Sequence, residues 1–173
     1  YYKKSEFVIK PDGLTGGKGV KLFPININSS EAIQYISSLD KCLIEETLKG
    51  EEFSLMAFSD GTHTYFMPLV KDFKRAYDND KGDNTGSMGS ISVPEFYFLT
   101  DNELDRCKLF MVKVIKHMAT IGKPYKGILY GSFMKTNDNQ LKLIEFNCRF
   151  GDPECINVLN LLITPLDLIF KHI

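Results

Sequence analysis

The sequence lacks the features that mark several large classes of protein. Its formal net charge is −1, so no excess of positive charge indicates binding to nucleic acid or to an anionic membrane. No apolar run reaches the roughly 18 residues that a membrane-spanning helix needs, and no signal-peptide pattern stands at the start. With 43% hydrophobic and 25% charged residues, the composition is that of a globular soluble protein. We therefore expect neither a nucleic-acid partner nor a membrane partner.

The cysteines and histidines form no metal-binding pattern. There is no C-x-x-C pair, and the four cysteines do not combine with the three histidines at the spacing of a zinc site. Free thiols in a reducing compartment are the better interpretation, and we expect a cytoplasmic location. The length of 173 residues suits one domain or two small subdomains. Because the chain begins with Tyr1 instead of methionine, we expect it to be part of a longer protein.

Hydrophobic periodicity and turn residues predict a mixture of helices and strands. Apolar residues at spacings of three and four predict helices near 29–39 and 101–122, each preceded by a capping box. The stretch 71–92 is rich in charge and glycine, and so long an irregular segment is usually functional or disordered. Further predictions are strands at 7–9, 20–23, 42–46, 52–59, 64–70, 127–135 and 141–148, and helices near 153–162 and 165–172 with Asp152 and Thr164 as N-caps.

The stretch Leu143–Glu154 carries the first chemical pattern. Glu145, Asn147 and Arg149 alternate with apolar residues, so on a strand their side chains share one face. A carboxylate and an amide offer the oxygen ligands that Mg²⁺ prefers, and a guanidinium suits phosphate or carboxylate. The alternative is an ordinary half-exposed strand, which the same alternation also predicts.

A glycine-rich loop between two predicted strands carries the second pattern. In Lys10–Val20, backbone N–H groups can approach phosphate oxygens closely while the lysines add positive charge. The spacing is not that of a Walker A loop, and a strand follows it where a dinucleotide fingerprint requires a helix. An exposed hairpin without function is the alternative. Between the two patterns, Cys42–Leu48 could offer backbone groups to adenine and a carboxylate to ribose, although a strand that ends at solvent is commoner.

Four ordered motifs resemble those of a known family. The stretches are Lys10–Val20, Leu43–Glu52 (L-I-E-E-T-L-K-G-E-E), Asp72–Gly89 (D-F-K-R-A-Y-D-N-D-K-G-D-N-T-G-S-M-G) and Leu143–Glu154 (L-I-E-F-N-C-R-F-G-D-P-E). They are similar to the phosphate loop, adenine hinge, substrate segment and metal strand of the phosphoribosylamine–glycine ligase family, which are ATP-grasp enzymes of purine biosynthesis. The resemblance covers nearly the whole chain.

This resemblance implies an α/β (α+β) fold of the ATP-grasp type, with ATP held between two subdomains. Residues 1–70 would roughly form the nucleotide-covering subdomain, and residues 71–173 the subdomain that binds metal and substrate. Family domains that precede and follow this region are absent from the sequence. The missing domains of a parent chain are therefore expected partners, together with the small-molecule substrates.

The resemblance also implies roles for individual residues. The expected ATP-binding residues are Lys10, Gly16, Gly17, Lys18, Glu45, Glu46, Leu48 and Glu52. The expected metal ligands, for Mg²⁺ or Mn²⁺, are Glu145 and Asn147. Lys74, Arg75 and Arg149 are expected to be catalytic. Asp80, Asn84 and Arg149 are expected to bind glycine or 5-phosphoribosylamine.

The implied reaction ligates glycine to 5-phosphoribosylamine at the expense of ATP, through glycyl phosphate. Cations and metal at the transferred phosphoryl group would carry most of the catalysis, and no covalent nucleophile of the protein is needed. Two alternatives stay open, another ATP-grasp carboxylate–amine ligase and a nucleotide-binding module without catalysis. Three departures from the family pattern motivate the latter. Ser132 stands where many such enzymes carry a carboxylate, and Ser87 replaces a glycine at a turn where a positive φ is expected. The third is that the family's flanking domains are expected to be missing from this stretch.

Overall fold

The computed structural model describes residues 6–13, 15, 19–78 and 81–173, without the side chains of residues 83 and 84. Its strands are β1 (Phe7–Pro11), β2 (Lys21–Phe23), β3 (Cys42–Glu46), β4 (Gly50–Asp60), β5 (Thr64–Phe66), β6 (Lys71–Asp72), β7 (Arg75–Tyr77), β8 (Lys81–Asn84), β9 (Ser90–Ile91), β10 (Lys126–Thr136) and β11 (Leu141–Asn147). Its helices are α1 (Ser29–Ser37), α2 (Asp101–Thr120), α3 (Glu154–Asn160) and α4 (Leu166–Phe170). The predicted mixture of helices and strands is confirmed.

The chain divides into two compact units, Tyr1–Lys49 and Gly50–Ile173. The resemblance implies a division near residue 70, and the functional roles that it gives to the two subdomains stay predictions. In the structure β4 belongs to the second unit, since it pairs with β10 from Gly50 opposite Thr136 to Asp60 opposite Lys126. Backbone pairing over this length outweighs proximity in sequence.

The first unit is an antiparallel sheet with strand order β2-β1-β3 and one helix. Ile9 is fully buried, and it packs with Ile27 and Ala32 to form the core of the unit. The antiparallel pairing of β1 with β2 confirms that the glycine-rich stretch connects the strands of a hairpin. The capping box of Asn28 and Glu31 starts α1 as predicted.

The second unit is built on an antiparallel sheet with strand order β11-β10-β4-β5. The core on one side of this sheet joins Phe53 and Phe133 to Cys107, Met111 and Ile115 of α2. The apolar residues of α2 recur at helical spacing, so the helix buries one stripe against the sheet. The helix ends where the sequence indicated, because Gly122 has a φ of +74°, a conformation that glycine adopts without strain.

Four local predictions are wrong. The stretch 71–92 is not irregular, because β6 pairs with β9 and β7 pairs with β8. The predicted strand 64–70 stops at Phe66. The N-caps of α3 and α4 are Pro153 and Pro165, one residue after the predicted Asp152 and Thr164, and neither makes a side-chain capping hydrogen bond. The φ angles are −91° at Pro153 and −53° at Pro165, and only that of Pro165 lies near the helical value.

The start of α2 gives a testable pH dependence. Lys135 donates a hydrogen bond of 2.8 Å to the Glu103 carboxylate, and the backbone N–H of Thr100 donates another of 2.9 Å. These contacts lower the pKa of Glu103 from 4.5 to about 2. Because the folded pKa is the lower one, the contribution of Glu103 to stability is complete above about pH 5 and is lost as the pH falls towards 2.

We therefore expect the melting temperature of Glu103→Gln to lie below that of the unmodified chain at neutral pH. The two values should converge as the pH is lowered from about 5 to about 2. Thermal denaturation followed by circular dichroism measures both proteins across this range. A difference in melting temperature that stays constant with pH would contradict the assignment of the ionised Glu103 as the stabilising species.

No helix in the described part of the chain combines the length and the apolar character needed to cross a membrane.

Candidate functional site

Two oxygen-bearing side chains lie together at the end of β11. The amide of Asn147 donates a hydrogen bond of 3.0 Å to the carboxylate of Glu145, so the two side chains occupy the same side of the strand. Glu145 is exposed, and in the strand register it stands opposite Ser132 of β10. Within the described residues no group of three or more His, Cys, Asp or Glu side chains could hold a metal ion. Two hard oxygen donors suit Mg²⁺ when a phosphate supplies further oxygens.

Arg149 lies outside this strand. Because β11 ends at Asn147, the prediction that Arg149 shares its strand face is wrong. The exposed guanidinium instead donates a hydrogen bond of 2.7 Å to the carbonyl oxygen of Phe150, within the turn that follows the strand. Its remaining N–H groups give it the capacity to bind an anion.

A second cluster of polar side chains connects three segments of the second unit that are far apart in the sequence. Lys74 Nζ lies 2.5 Å from Glu52 Oε1, and the hydroxyl of Ser132 donates to the same oxygen at 3.0 Å. Burial alone would lower the pKa of Lys74, but the charge and hydrogen bond of Glu52, reinforced by Asp72 and Glu154, raise it. Lys74 is therefore held in its charged form beside Glu52, whose other partner, Ser132, lies on β10, the strand that pairs with β11.

The structure accommodates Ser87, the serine that replaces a glycine of the family motif. Among the described residues, Asn139 is the only non-glycine residue with a positive φ, so Ser87 does not adopt the conformation that would disfavour it. Its hydroxyl donates to Asp72 at 2.6 Å and accepts from the backbone N–H of Gly89 at 2.9 Å. Burial raises the pKa of Asp72, while the hydrogen bond from Ser87 opposes the rise.

Arg75 has a local partner. Its guanidinium donates a hydrogen bond of 2.9 Å to the carbonyl oxygen of Gly82, across the pairing of β7 with β8. The hairpin therefore positions this cation in the folded chain. A catalytic role for Arg75 stays a prediction.

In the first unit, the expected phosphate and adenine residues meet on neighbouring strands. Lys10 of β1 forms an ion pair of 2.7 Å with Glu45 of β3, and the two strands are hydrogen-bonded neighbours. Glu46 stands opposite Phe7 in the same register. The hydroxyl of Thr47, next in the chain, is the one buried side-chain polar atom without a hydrogen-bond partner among the described residues. A ligand with a hydrogen-bonding edge would satisfy it.

Some of the expected site residues lie elsewhere or are not described. Leu48 follows β3, whereas Glu52 belongs to β4 and the second unit, where it pairs with Lys74 instead of extending the adenine segment. Gly16, Gly17, Lys18 and Asp80 lie outside the described residues, and so does the side chain of Asn84. The ligand-binding roles of all these residues stay predictions.

Comparison with known proteins identifies the family. The sequence model of the family described as "Phosphoribosylglycinamide synthetase, ATP-grasp (A) domain" matches residues 2–155. The chain belongs to this ATP-grasp family. The ATP-grasp fold expected from the four motifs is confirmed.

Curated relatives of this ATP-grasp domain are named phosphoribosylamine–glycine ligase. The chain is 50% identical over 164 residues to the phosphoribosylamine–glycine ligase of Methanoregula boonei, covering 93% of this chain and 38% of the relative. It is 48% identical over 172 residues to that of Methanocorpusculum labreanum, covering 97% of this chain and 40% of the relative. The chain therefore spans about 40% of the length of the relatives it matches.

Solved structures agree with the assignment. The phosphoribosylamine–glycine ligase of Thermotoga maritima superposes with a TM-score of 0.76 and 31% identity, over 91% of this chain and 41% of that one. D-alanyl-alanine synthetase A of Vibrio cholerae superposes with a TM-score of 0.70 at 15% identity, over 96% of this chain and 50% of that one. The second likeness shows the fold alone.

Sequence reasoning missed part of the polar network of this ATP-grasp domain. The four motifs contain Asp72 and the buried Glu154 but assign no role to either residue. The signal that could have found Glu154 is the pair of Ser54 and Tyr130, which lie among buried apolar residues of β4 and β10 and whose hydroxyl groups need buried partners.

Proposed function

We propose that the chain is the ATP-grasp part of a cytoplasmic phosphoribosylamine–glycine ligase, which joins glycine to 5-phosphoribosylamine with ATP. A carboxylate oxygen of glycine attacks the γ-phosphorus, the bond to the β-phosphate oxygen breaks, and ADP leaves. The amine nitrogen of 5-phosphoribosylamine then attacks the acyl carbon of glycyl phosphate. Inorganic phosphate leaves, the amine loses a proton, and the amide of glycinamide ribonucleotide is formed.

The observation that carries the proposal is the carboxylate–amide pair of Glu145 and Asn147 on β11 of this family's fold. The names of the curated relatives support glycine and 5-phosphoribosylamine as the substrates. A protein that transfers a phosphoryl group needs cations where the negative charge accumulates, and few other groups. Lys74 and Arg149 in the same unit are cations of the required kind.

The oxygen pair fits a divalent cation, Mg²⁺ or Mn²⁺, that arrives with a nucleotide. Glu145 and Asn147 would hold it, and the ion would neutralise charge on the phosphate oxygens. Two protein donors are what Mg²⁺ commonly takes when substrate phosphates and waters complete the coordination. Ser132 would not be a third ligand in this arrangement, because its hydroxyl is directed to Glu52.

The remaining residues would bind and orient the substrates. Lys10, together with Lys18 of the glycine loop, would bind phosphate oxygens, and the segment from Glu45 to Leu48 would frame the adenine largely through its backbone. Lys74, Arg75 and Arg149 would stabilise charge at the transferred group and on glycyl phosphate. Asp80 and Asn84 would contact glycine or 5-phosphoribosylamine. The loop would exclude water, which otherwise hydrolyses an acyl phosphate.

The test is an ADP-release assay on the full-length protein that contains this chain. ADP formation should require glycine, 5-phosphoribosylamine and a divalent cation together. ADP release that needs a different carboxylate or amine would assign another ATP-grasp ligase reaction. Binding of ATP without turnover of any substrate in a panel would indicate a nucleotide-binding module instead.

The proposed function predicts that replacing Lys74 slows turnover, and a variant of Lys71 provides the control. We expect Lys74→Met to lower kcat by about 10- to 100-fold, since one cation at the reacting group is lost. Lys71→Met removes the ion pair of Lys71 with Glu51, on the same segment, and controls for general destabilisation. Its kcat should stay within about twofold of the unmodified protein. Equal losses of kcat in both variants would contradict a catalytic role for Lys74.

A further inference from the structure

Glu154 is a buried carboxylate that the proposed reaction does not use. It lies in the first turn of α3 and is 2% exposed. Its Oε1 atom accepts a hydrogen bond of 2.9 Å from Ser54 of β4 and one of 2.8 Å from Tyr130 of β10. The two hydroxyl oxygens are 2.7 Å apart, so the three side chains form one closed network. Burying a carboxylate is costly, and these hydrogen bonds offset part of the cost.

The network holds the turn between β11 and α3 against the sheet. A Cβ atom on Gly151 would lie 2.6 Å from Glu154 Oε2 and 2.7 Å from the ring of Tyr130, so the backbone of the turn touches both groups. The N–H of Gly151 also points to the sulfur of Met56 at 3.3 Å. Phe150, which precedes this glycine, packs edge-on against Phe58 at 6.0 Å between ring centroids. The turn is therefore fixed on the same strands that Glu154 engages.

The same helix also contacts the segment that contains Asp72 and Lys74. Asn157, one turn after Glu154, accepts a hydrogen bond of 2.6 Å from Ser90 of β9, and β9 pairs with β6, which contains Asp72. The charge of Glu154 contributes to the raised pKa of Asp72, after burial and the opposing bond from Ser87, and to that of Lys74. Glu154 therefore interacts with both segments that contain the expected cations, the turn with Arg149 and the segment with Lys74.

We propose that Glu154 is a positioning residue, which fixes the turn carrying Arg149 by accepting hydrogen bonds from Ser54 and Tyr130. Glu154 touches no substrate in this assignment and acts through the backbone of residues 149–153. The assignment of an effect on turnover rests on the proposed ligase function. The effect on the turn itself does not depend on that function.

The test uses the full-length protein with single-atom changes at the two donors. Ser54→Ala and Tyr130→Phe each remove one hydroxyl and should lower kcat by about 3- to 10-fold, with the KM for ATP within about twofold of the unmodified protein. Ser59→Ala is the matched control, because Ser59 is a fully buried serine of the same strand whose hydroxyl donates to the carbonyl oxygen of Tyr125 at 2.9 Å. It should lower the melting temperature without changing kcat.

Two substitutions at Glu154 itself distinguish the effect of losing the hydrogen bonds from the effect of losing side-chain volume. Glu154→Ala should lower kcat by about 30- to 100-fold. Glu154→Gln keeps an oxygen acceptor and should recover most of this loss. An unchanged kcat in Ser54→Ala and Tyr130→Phe would overturn the proposal, and so would a fall in kcat of Ser59→Ala equal to theirs. These serine and tyrosine variants decide the matter if Glu154→Ala does not fold.

Hydrogen exchange supplies a readout that needs no activity. Backbone amides of residues 148–152 should exchange faster in Ser54→Ala and Tyr130→Phe than in Ser59→Ala, because local opening of the turn costs less free energy. Unchanged exchange at these amides would overturn the positioning role. If the unmodified protein shows no glycine-dependent ADP release, the proposed function fails, while the exchange measurement still decides the role of Glu154.

Discussion

Replacing Glu145 with glutamine should lower kcat for glycine-dependent ADP release by about 100- to 1000-fold. Glutamine has nearly the same shape and can still accept the hydrogen bond that the Asn147 amide donates at 3.0 Å. What it removes is the negative charge that, in the proposed function, would hold the divalent cation. We expect the affinity for Mg²⁺·ATP to fall at the same time, by about tenfold or more.

Isothermal titration of Mg²⁺·ATP into the unmodified protein and Glu145→Gln measures the second effect, and steady-state kinetics at several Mg²⁺ concentrations measures the first. The control is Glu95→Gln, which removes the same charge from an exposed position outside the site. Its kinetics should be unchanged. Identical Mg²⁺·ATP affinities in Glu145→Gln and the unmodified protein would count against Glu145 as a metal ligand.

Replacing Phe53 with alanine should destabilise the chain by about 3–5 kcal/mol. Phe53 is fully buried on β4, and its ring lies 5.8 Å from that of Phe133 and 6.0 Å from that of Phe98. Truncation leaves a cavity between β4, β10 and α2 that the surrounding side chains fill only in part. For a chain of this length, the loss corresponds to a fall in melting temperature of roughly 6–20 °C.

Differential scanning calorimetry of Phe53→Ala measures this fall. Ile163→Ala is the control, because Ile163 is 97% exposed and its truncation creates no cavity. We expect the melting temperature of the control to change little. A fall of less than about 2 °C in Phe53→Ala would show that the packing around Phe53 contributes less than its burial indicates.

Features that depend on neighbouring residues could be predicted from the sequence. The capping boxes join residues three apart, and both form as the sequence indicated. The β10–β11 hairpin turns at Asn139, whose φ of +60° is one that asparagine tolerates better than most residues. The pairing of Glu145 with Asn147 follows from strand alternation, which places residues two apart on one side. The four motifs were sufficient to predict the family.

Features that depend on distant partners were not predicted. The resemblance implies that Glu52 binds ATP, which stays a prediction, but nothing in the sequence indicated that its side chain pairs with Lys74 and Ser132. The extent of β4 could not be found from its own residues, because hydrogen bonds to β10 define where it begins. The same holds for β6 to β9, whose two-to-four-residue strands lack a periodicity of their own.

By itself, the sequence determined the family, the helices and strands outside residues 71–92, and the carboxylate–amide pair. These are fixed by local conformational preference and by residues a few positions apart. Only the tertiary structure decided that Glu52 belongs to the second unit and that Ser87 donates a hydrogen bond to Asp72. It also decided that Glu154 is buried against Ser54 and Tyr130. A buried charged or polar group must find its partner wherever folding brings one, and the sequence separation of up to 100 residues between Ser54 and Glu154 carries no local signal of that partner.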